Sequence, residues 1–187
     1  MKRLFIAINL PDEVKNKIDK IIKGSNGDFR WIPPKNWHLT LVFLGNQPDG
    51  AIIPILESIK EIVKNFPAPM IEFEKIILAP PNKPPRMIWL TGPREISKIL
   101  GEIKINLENS LIENGVRFKI ENRPFNSHLT LCRFPNQSLI SFANIREFNS
   151  RLIRDLNFTP QSIDLMESRL KRTGAEYETL TKFDFTK

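Results

Sequence analysis

Cysteine, histidine and tyrosine are scarce in this chain: its 187 residues include one cysteine, two histidines and one tyrosine. The single cysteine, Cys132, excludes a disulfide within the chain, which agrees with a reducing compartment. One thiol and two imidazoles are too few for a typical zinc site built from these residue types. The sequence also has no clustered acidic motif that would favour bound Mg²⁺. We therefore expect neither a metal nor another cofactor.

Long hydrophobic runs are absent as well, since no segment approaches the roughly 20 apolar residues that a membrane helix needs. The first ten residues begin like a secretory signal, with two cations followed by apolar residues. An acidic, helical pattern starts directly afterwards at Pro11 and Asp12, and no small-residue cleavage site precedes it. We interpret residues 3–9 as a buried strand, and expect a cytoplasmic protein that does not bind a membrane.

The formal net charge is +7, while the charged fraction of 26% and the hydrophobic fraction of 41% are ordinary for a globular protein. A positive surface favours an anionic partner, although a charge excess alone is equally typical of a soluble, lysine-rich surface. The cations are dispersed, with no basic tail. No linker with a shift in composition interrupts the chain, so residues 1–187 are predicted to form one domain.

Hydrophobic periodicity predicts a mixed order of helices and strands. Helices are predicted over 12–23, 51–66, 96–114 and 139–156. Strands are predicted over 3–9, 38–44, 70–78, 87–91, 118–120 and 128–134, followed by a hairpin of 161–170 with 177–185 that has Gly174 in its turn. The two kinds of element do not alternate strictly, which predicts an α+β fold or a mixed sheet.

Both histidines lie in the same four-residue string. His-Leu-Thr-Leu occurs at residues 38–41 and again at 128–131, each time on a predicted strand with a proline shortly before it. Side chains at i and i+2 of a strand share a face. Each histidine is therefore predicted to share a polar face with its threonine, while the leucines point into a core. Two such strands could present two imidazoles and two hydroxyls to one cleft.

This constellation suits phosphoryl chemistry without a metal. A neutral imidazole can take a proton from an attacking water, and an imidazolium can give one to the leaving oxygen. A histidine of ordinary pKa can play either part near neutral pH. Threonine hydroxyls can donate hydrogen bonds to phosphate oxygens as charge develops. A lone histidine on a strand is more often structural, but the coincidence of both histidines in one string favours catalysis by His38 and His128.

With these motifs the chain resembles the two-histidine phosphoesterases, and in particular the RNA 2′,3′-cyclic phosphodiesterases, also called 2′-5′ RNA ligases. The resemblance covers the opening strand at 3–8, the two motifs at 37–45 and 127–133, and the C-terminal segments 166–170 and 177–178. It implies a bilobal α+β fold. Two pseudo-symmetric lobes of antiparallel sheet, with helices outside, would flank a central cleft.

The resemblance also implies an activity, the hydrolysis of a 2′,3′-cyclic phosphate at an RNA end to a 2′-phosphate. By similarity, His38 would protonate the leaving 3′ oxygen, His128 would activate water, and Thr40 and Thr130 would bind the phosphate. Some members of the family also join tRNA halves through a 2′-5′ linkage, so tRNA halves are candidate partners. We expect a monomer.

Arg133 matches a phosphate-binding arginine of the family, and the guanidinium fork can bind two phosphate oxygens. Strict alternation from His128 would instead place Arg133 on the leucine face, unless a bulge or the end of the strand turns it into the cleft. An ordinary surface arginine is the alternative. Alternation also places Cys132 on the face of His128 and Thr130, where we interpret it as a small packing residue and not as a nucleophile.

Aromatic side chains are candidates for stacking on a base, which is the usual way to hold single-stranded RNA. Tyr177 and Phe43 are the preferred candidates. Phe5, Trp31 and Trp37 are alternatives, although most aromatic residues on strands belong to the core. Five basic residues could guide an RNA backbone or be ordinary solvated charges: Lys83, Arg86, Arg169, Lys171 and Arg172.

Two other functions remain open from the sequence. The first is an RNA-binding module that holds phosphate without turnover, although both motifs are intact. The second is a phosphodiesterase that acts on a small metabolite, such as a cyclic phosphate of ADP-ribose, although the positive charge favours RNA.

Overall fold

The computed structural model describes residues 1–23, 30–81, 83–134, 142–151, 156–171 and 174–186. The elements in chain order are β1 (Lys2–Asn9), α1 (Asp12–Ile22), β2 (His38–Gln47), α2 (Ile52–Asn65), β3 (Ile71–Glu72), β4 (Lys75–Ala79), β5 (Met87–Thr91), α3 (Arg94–Glu113), β6 (His128–Arg133), α4 (Phe142–Ser150), β7 (Asn157–Phe158), β8 (Ser162–Lys171) and β9 (Gly174–Asp184). This combination of helices and antiparallel strands confirms the predicted α+β class.

The main sheet has seven strands in the order β4-β5-β6-β2-β1-β8-β9, and neighbouring strands run antiparallel. The two strands that carry the histidine motifs, β2 and β6, are neighbours in the middle of this sheet. They meet through a single pair, Leu39 opposite Leu129. The sheet therefore divides at this seam into a His38 half (β2, β1, β8, β9) and a His128 half (β6, β5, β4).

The two halves repeat the same local design. In the first unit, β1–α1–β2, the histidine strand β2 pairs with β1, the strand before the helix. In the second unit, β5–α3–β6, the histidine strand β6 pairs with β5 in the same way. Ala7 lies opposite Thr40 in the first unit, and Trp89 lies opposite Thr130 in the second. The register shifts by one residue directly after each threonine, so Leu41 and Leu131 are left as bulges at equivalent positions.

The helices cover the leucine face of the central strands. One apolar core contains Leu39 and Leu129, each 1% exposed, together with the apolar sides of α1, α2 and α3. Truncation of such a buried leucine to alanine typically costs about 2–5 kcal/mol of stability. A separate small cluster of Phe5, Ala7 and Met166 lies on the opposite face. That face remains open for a binding site.

Three predicted elements differ from the observed ones. Residues 118–120 form no strand, because Ile120 is exposed and this backbone pairs with no neighbouring strand in the described chain. The strand predicted over 70–78 is two strands, because β3 leaves the main sheet and pairs with β7. The hairpin pairs as far as Lys171 opposite Gly174, so residues 174–176 belong to β9 and not to the turn.

The helix predicted over 139–156 is represented by α4, Phe142–Ser150. Residues 139–141 and 152–155 of that prediction lie outside the described residues, whereas Arg151 and Leu156 are described and are not helical, so the predicted C-terminal end at 156 is wrong. Among the helices that the structure does describe, none has the length and apolar character needed to cross a membrane.

Candidate active site

A cavity of about 440 Å³ opens on the face of the sheet that the helices leave uncovered. It crosses the seam between the two halves. The seven residues that the sequence favours for catalysis, phosphate binding or base stacking all line it: His38, Thr40, Phe43, His128, Thr130, Arg133 and Tyr177. The structure thus brings the two motifs into one site, with each histidine and its threonine on the face that strand alternation predicts.

The two imidazoles are held in the same way. Nδ1 of His38 lies 2.8 Å from the carbonyl oxygen of Asn36, and Nδ1 of His128 lies 2.7 Å from that of Asn126. A carbonyl can only accept, so Nδ1 carries the hydrogen in each neutral ring. Nε2 is then the nitrogen that holds a lone pair and is available to a ligand. Both histidines are oriented for proton transfer through the same atom.

Aromatic side chains surround His38. The ring of Phe5 lies 4.9 Å away at a tilt, and the ring of Tyr177 lies 4.9 Å away with its plane nearly perpendicular. Burial lowers the pKa of His38 to about 4, the Asn36 carbonyl opposes this shift, and the charge of Arg133 adds to it. His38 is therefore neutral at pH 7 in the free site.

His128 has a different neighbour, because its ring stacks on the indole of Trp89. The centroids are 3.8 Å apart and the planes are inclined by 25°. Burial lowers the pKa of His128, the Asn126 carbonyl opposes this, and the charges of Arg123 and Arg133 lower it further. An indole face attracts a cation, so the stack favours the charged imidazolium form.

The bulge at Leu131 decides the positions of the two residues that follow it. Arg133 returns to the cleft face, where it lines the cavity and its Nη1 lies 3.2 Å from the sulfur of Met87. Cys132 turns into the core and is fully buried. The prediction that Cys132 continues the face of His128 and Thr130 is therefore wrong. Burial raises the pKa of its thiol to about 11, as expected for a packing residue and not for a nucleophile.

The equivalent bulge at Leu41 brings Phe43 to the cleft. Phe43 is 55% exposed, which leaves much of its ring free to contact a ligand. Tyr177 differs, because it packs edge-on against both His38 and Phe5. Its ring therefore helps to hold a catalytic candidate in place, and a base could reach only its remaining half-buried surface.

The weaker candidates lie in varied places. Trp37 is fully buried in the core, whereas Trp31 lines a neighbouring groove. Arg169 pairs with Glu167 and Glu178, and Lys171 pairs with Glu176. Lys83 and Arg86 are exposed outside the cavity, and Arg172 lies outside the described residues.

Sequence reasoning missed several residues at the site. Arg3, Asn36, Ser168 and Leu170 line the cavity, and Trp89 stacks on His128 from the neighbouring strand β5. The two asparagines could have been found, because the repeated string extends backwards to Asn-x-His-Leu-Thr-Leu at 36–41 and 126–131. Trp89 carries no such signal, since its contact depends on the register of β5 with β6.

Within the described ranges, no group of three or more histidine, cysteine, aspartate or glutamate side chains is placed to hold a metal ion.

Comparison with known proteins points in one direction. A family model described as LigT-like phosphoesterase matches residues 8–89. A protein of Archaeoglobus fulgidus named RNA 2′,3′-cyclic phosphodiesterase is 26% identical over 185 residues, which cover 97% of this chain and 99% of the relative. A protein of the same name from Thermotoga maritima is 28% identical over 98% of this chain and 95% of its own.

Solved structures share the fold across the full chain. A crystal structure of a phosphoesterase superposes with a TM-score of 0.79 at 22% identity, covering 100% of this chain and 99% of that one. Escherichia coli LigT, in a crystal structure with 3′-AMP, superposes with a TM-score of 0.74 at 23% identity over 100% and 99% of the two chains. The matched model and the full-length relatives make this chain similar to the LigT-like phosphoesterases, and the solved structures show that it shares their fold.

Proposed function

We propose that this protein is an RNA 2′,3′-cyclic phosphodiesterase that uses His38 and His128 as an acid–base pair and needs no metal. The observation that carries the proposal is the pair of imidazoles, each anchored through Nδ1, in one cavity with two threonines and an arginine. The names of full-length relatives support the same activity.

In the proposed reaction a water attacks the phosphorus of the cyclic ester. The basic Nε2 takes a proton from this water as the new oxygen–phosphorus bond forms. The bond from phosphorus to O3′ breaks, and the acidic Nε2 of the other imidazole gives its proton to O3′. One water is consumed, the RNA keeps a 2′-phosphate, and the basic histidine ends the step protonated while the acidic histidine ends it neutral.

The remaining polar groups stabilise the negative charge on the phosphate. Thr40 and Thr130 lie two residues after each histidine on the same face, where their hydroxyls can donate to the non-bridging oxygens. Arg133 adds a permanent positive charge and a fork of donors. In the described chain Arg133 forms no ion pair with a carboxylate, so its charge is available to a ligand.

The surroundings of the two rings support the roles that the family resemblance suggests. His38 must gain a proton before it can donate to O3′, and a bound anionic phosphate favours that charged form. A base becomes a cation during the step, and the Trp89 stack is placed to stabilise this charge on His128. We therefore assign His38 as the acid and His128 as the base.

The direct test is hydrolysis of an RNA oligonucleotide that ends in a 2′,3′-cyclic phosphate, with EDTA present. Wild type should produce a 2′-phosphate end, and His38→Ala and His128→Ala should each slow the reaction by about 100-fold or more. Circular dichroism checks that both variants fold. A requirement for added divalent metal, or full activity in either variant, would contradict the mechanism.

The same assay separates the rival functions. Tight binding of the RNA with an intact cyclic phosphate would support a binding module without turnover. Joining of a cyclic phosphate end to an RNA with a 5′-hydroxyl would add 2′-5′ ligation to the hydrolysis. Ligation of tRNA halves, a monomeric state and a cytoplasmic location remain predictions.

A further inference from the structure

A second groove, of about 560 Å³, adjoins the catalytic cavity. Five residues line both spaces, namely Ile32, Asn36, Arg133, Ala175 and Tyr177, so the groove begins where the cavity ends. Beyond these shared residues it continues along residues 30–35 on one side and the start of β9 on the other. The catalytic function proposed above leaves this groove without a role.

The groove carries an excess of positive charge. Arg30 and Lys35 are exposed on its wall, and Arg133 stands at its junction with the cavity. Glu176 is the acidic side chain among its described lining residues, and Lys171 neutralises it at 2.6 Å. Such a surface attracts a ligand that carries more than one negative charge.

The wall formed by residues 30–35 is anchored to the catalytic strand. The backbone N–H of Ile32 donates to the carbonyl of Leu131 at 2.8 Å. The backbone of Trp31 pairs with that of Cys132 in an isolated antiparallel β-bridge. The half-buried indole of Trp31 lines the groove and packs edge-on against Phe148, with centroids 5.5 Å apart. The groove thus keeps a fixed distance from His128 and Arg133.

A positively charged groove with an aromatic side chain is the arrangement that binds a single nucleic-acid strand. A 2′,3′-cyclic phosphate lies at the end of its chain, so a strand that reaches the cavity can continue only on its 5′ side. We propose that this groove binds the backbone on the 5′ side of the reacting nucleotide, through Arg30 and Lys35, and so selects an RNA strand over a cyclic mononucleotide. This inference rests on the proposed function.

The test compares two substrates that react at the same group. One is a 2′,3′-cyclic mononucleotide, and the other is a five-nucleotide RNA that ends in that nucleotide with its cyclic phosphate. Wild type should show a higher kcat/KM for the RNA. The double variant Arg30→Gln/Lys35→Gln should lower the ratio of RNA to mononucleotide kcat/KM on the order of 10-fold, because each lost cation removes a phosphate contact.

The matched control is Lys60→Gln/Lys64→Gln, which removes the same charge from exposed positions of α2 on the helical side of the sheet. It should keep the wild-type ratio. The salt dependence of kcat/KM for the RNA should also become shallower in the groove variant alone. Equal kcat/KM for both substrates in wild type, or an equal loss in both double variants, would overturn the proposal.

Failure of the proposed function is distinguishable from failure of the groove. If wild type turns over neither substrate, the catalytic proposal is wrong. The role of the groove is then tested by the affinity for RNA. The same five-nucleotide RNA, with a 3′-phosphate, should then bind the groove variant about 10-fold more weakly than the control by fluorescence anisotropy. Equal affinities would overturn the groove as well.

Discussion

The His38 and His128 halves share a backbone design but differ in the side chains that contact each ring. In both, a strand presents histidine and threonine, a leucine bulges, and an asparagine carbonyl accepts from Nδ1. Opposite the threonine, however, one half has Ala7 and the other has Trp89. The shared backbone design sets the geometry that any acid–base pair requires. The residue on the neighbouring strand gives each histidine a different environment.

The difference continues at the fifth position after each histidine. The two bulges bring Phe43 to the cleft in one half and Arg133 in the other. One half therefore offers an aromatic surface that suits a base, and the other offers a cation that suits phosphate. The repeated backbone design thus offers a ligand two chemically distinct surfaces, one in each half. Substitutions can test this difference.

The largest effect should come from the imidazoles themselves. His38→Gln and His128→Gln should each reduce kcat by about 100-fold or more, because either loss removes one end of the proton relay. The double variant should lose little more than the slower single variant, since the two act as a unit. Single-turnover rates on the cyclic phosphate substrate measure all three. Independent, multiplicative losses would show that the two halves act separately.

The next largest effect on the rate should come from substitution of Arg133. Arg133→Gln should lower kcat/KM by about 10- to 100-fold, the range expected when a hydrogen-bonded charge pair to phosphate is lost. Arg86→Gln is the matched control, since Arg86 is exposed on the same half but lies outside the cavity. Steady-state kinetics on a cyclic mononucleotide measure both variants. A loss of the same size in the control would mean that Arg133 acts only through general charge.

The pH dependence of kcat/KM should report the histidine pKa values of the free protein, and that of kcat should report those of the substrate complex. Since both free imidazoles have a lowered pKa, kcat/KM should follow a bell with its maximum below pH 6.5. A bound phosphate anion raises a histidine pKa, so the maximum of kcat should lie at higher pH than that of kcat/KM. Rate profiles from pH 4 to 9 check both. A kcat/KM that still rises above pH 7 would contradict the site's electrostatics.

The smallest effect concerns Trp89. Trp89→Leu keeps apolar bulk but removes the indole face, so the pKa of His128 should fall by up to about one unit while that of His38 stays. Trp89→Phe should restore part of the shift. NMR titration of the two imidazoles measures both pKa values. A purely structural role for Trp89 would leave the His128 pKa unaltered in the folded variants.

Some of these features followed from local sequence and others did not. The sharing of a face by His38 and Thr40, and by His128 and Thr130, is a consequence of strand geometry over three residues, so it was predictable. The positions of Arg133 and Cys132 were not, because a bulge reverses the alternation. Its place depends on which residues of β5 oppose β6.

Contacts across strands were also beyond the sequence pattern. Tyr177 was predicted to stack on a base, and its packing against His38 gave no signal, because it depends on the pairing of β9 with β8 and of β8 with β1. Trp89 gave no signal in the sequence and reaches His128 only through the pairing of β5 with β6. The short strand expected over 118–120 is absent because no strand in the described chain is placed to pair with it.

By itself, the sequence determined that two strands with the same four-residue motif would each present a histidine and a threonine opposite a leucine core, because the period of a strand is local. It also determined the positive charge and the scarcity of thiols and imidazoles. Only the tertiary structure decided that the two strands lie side by side, and which neighbour contacts each imidazole. Those outcomes depend on strand order and register, which are set by packing between residues far apart in the chain.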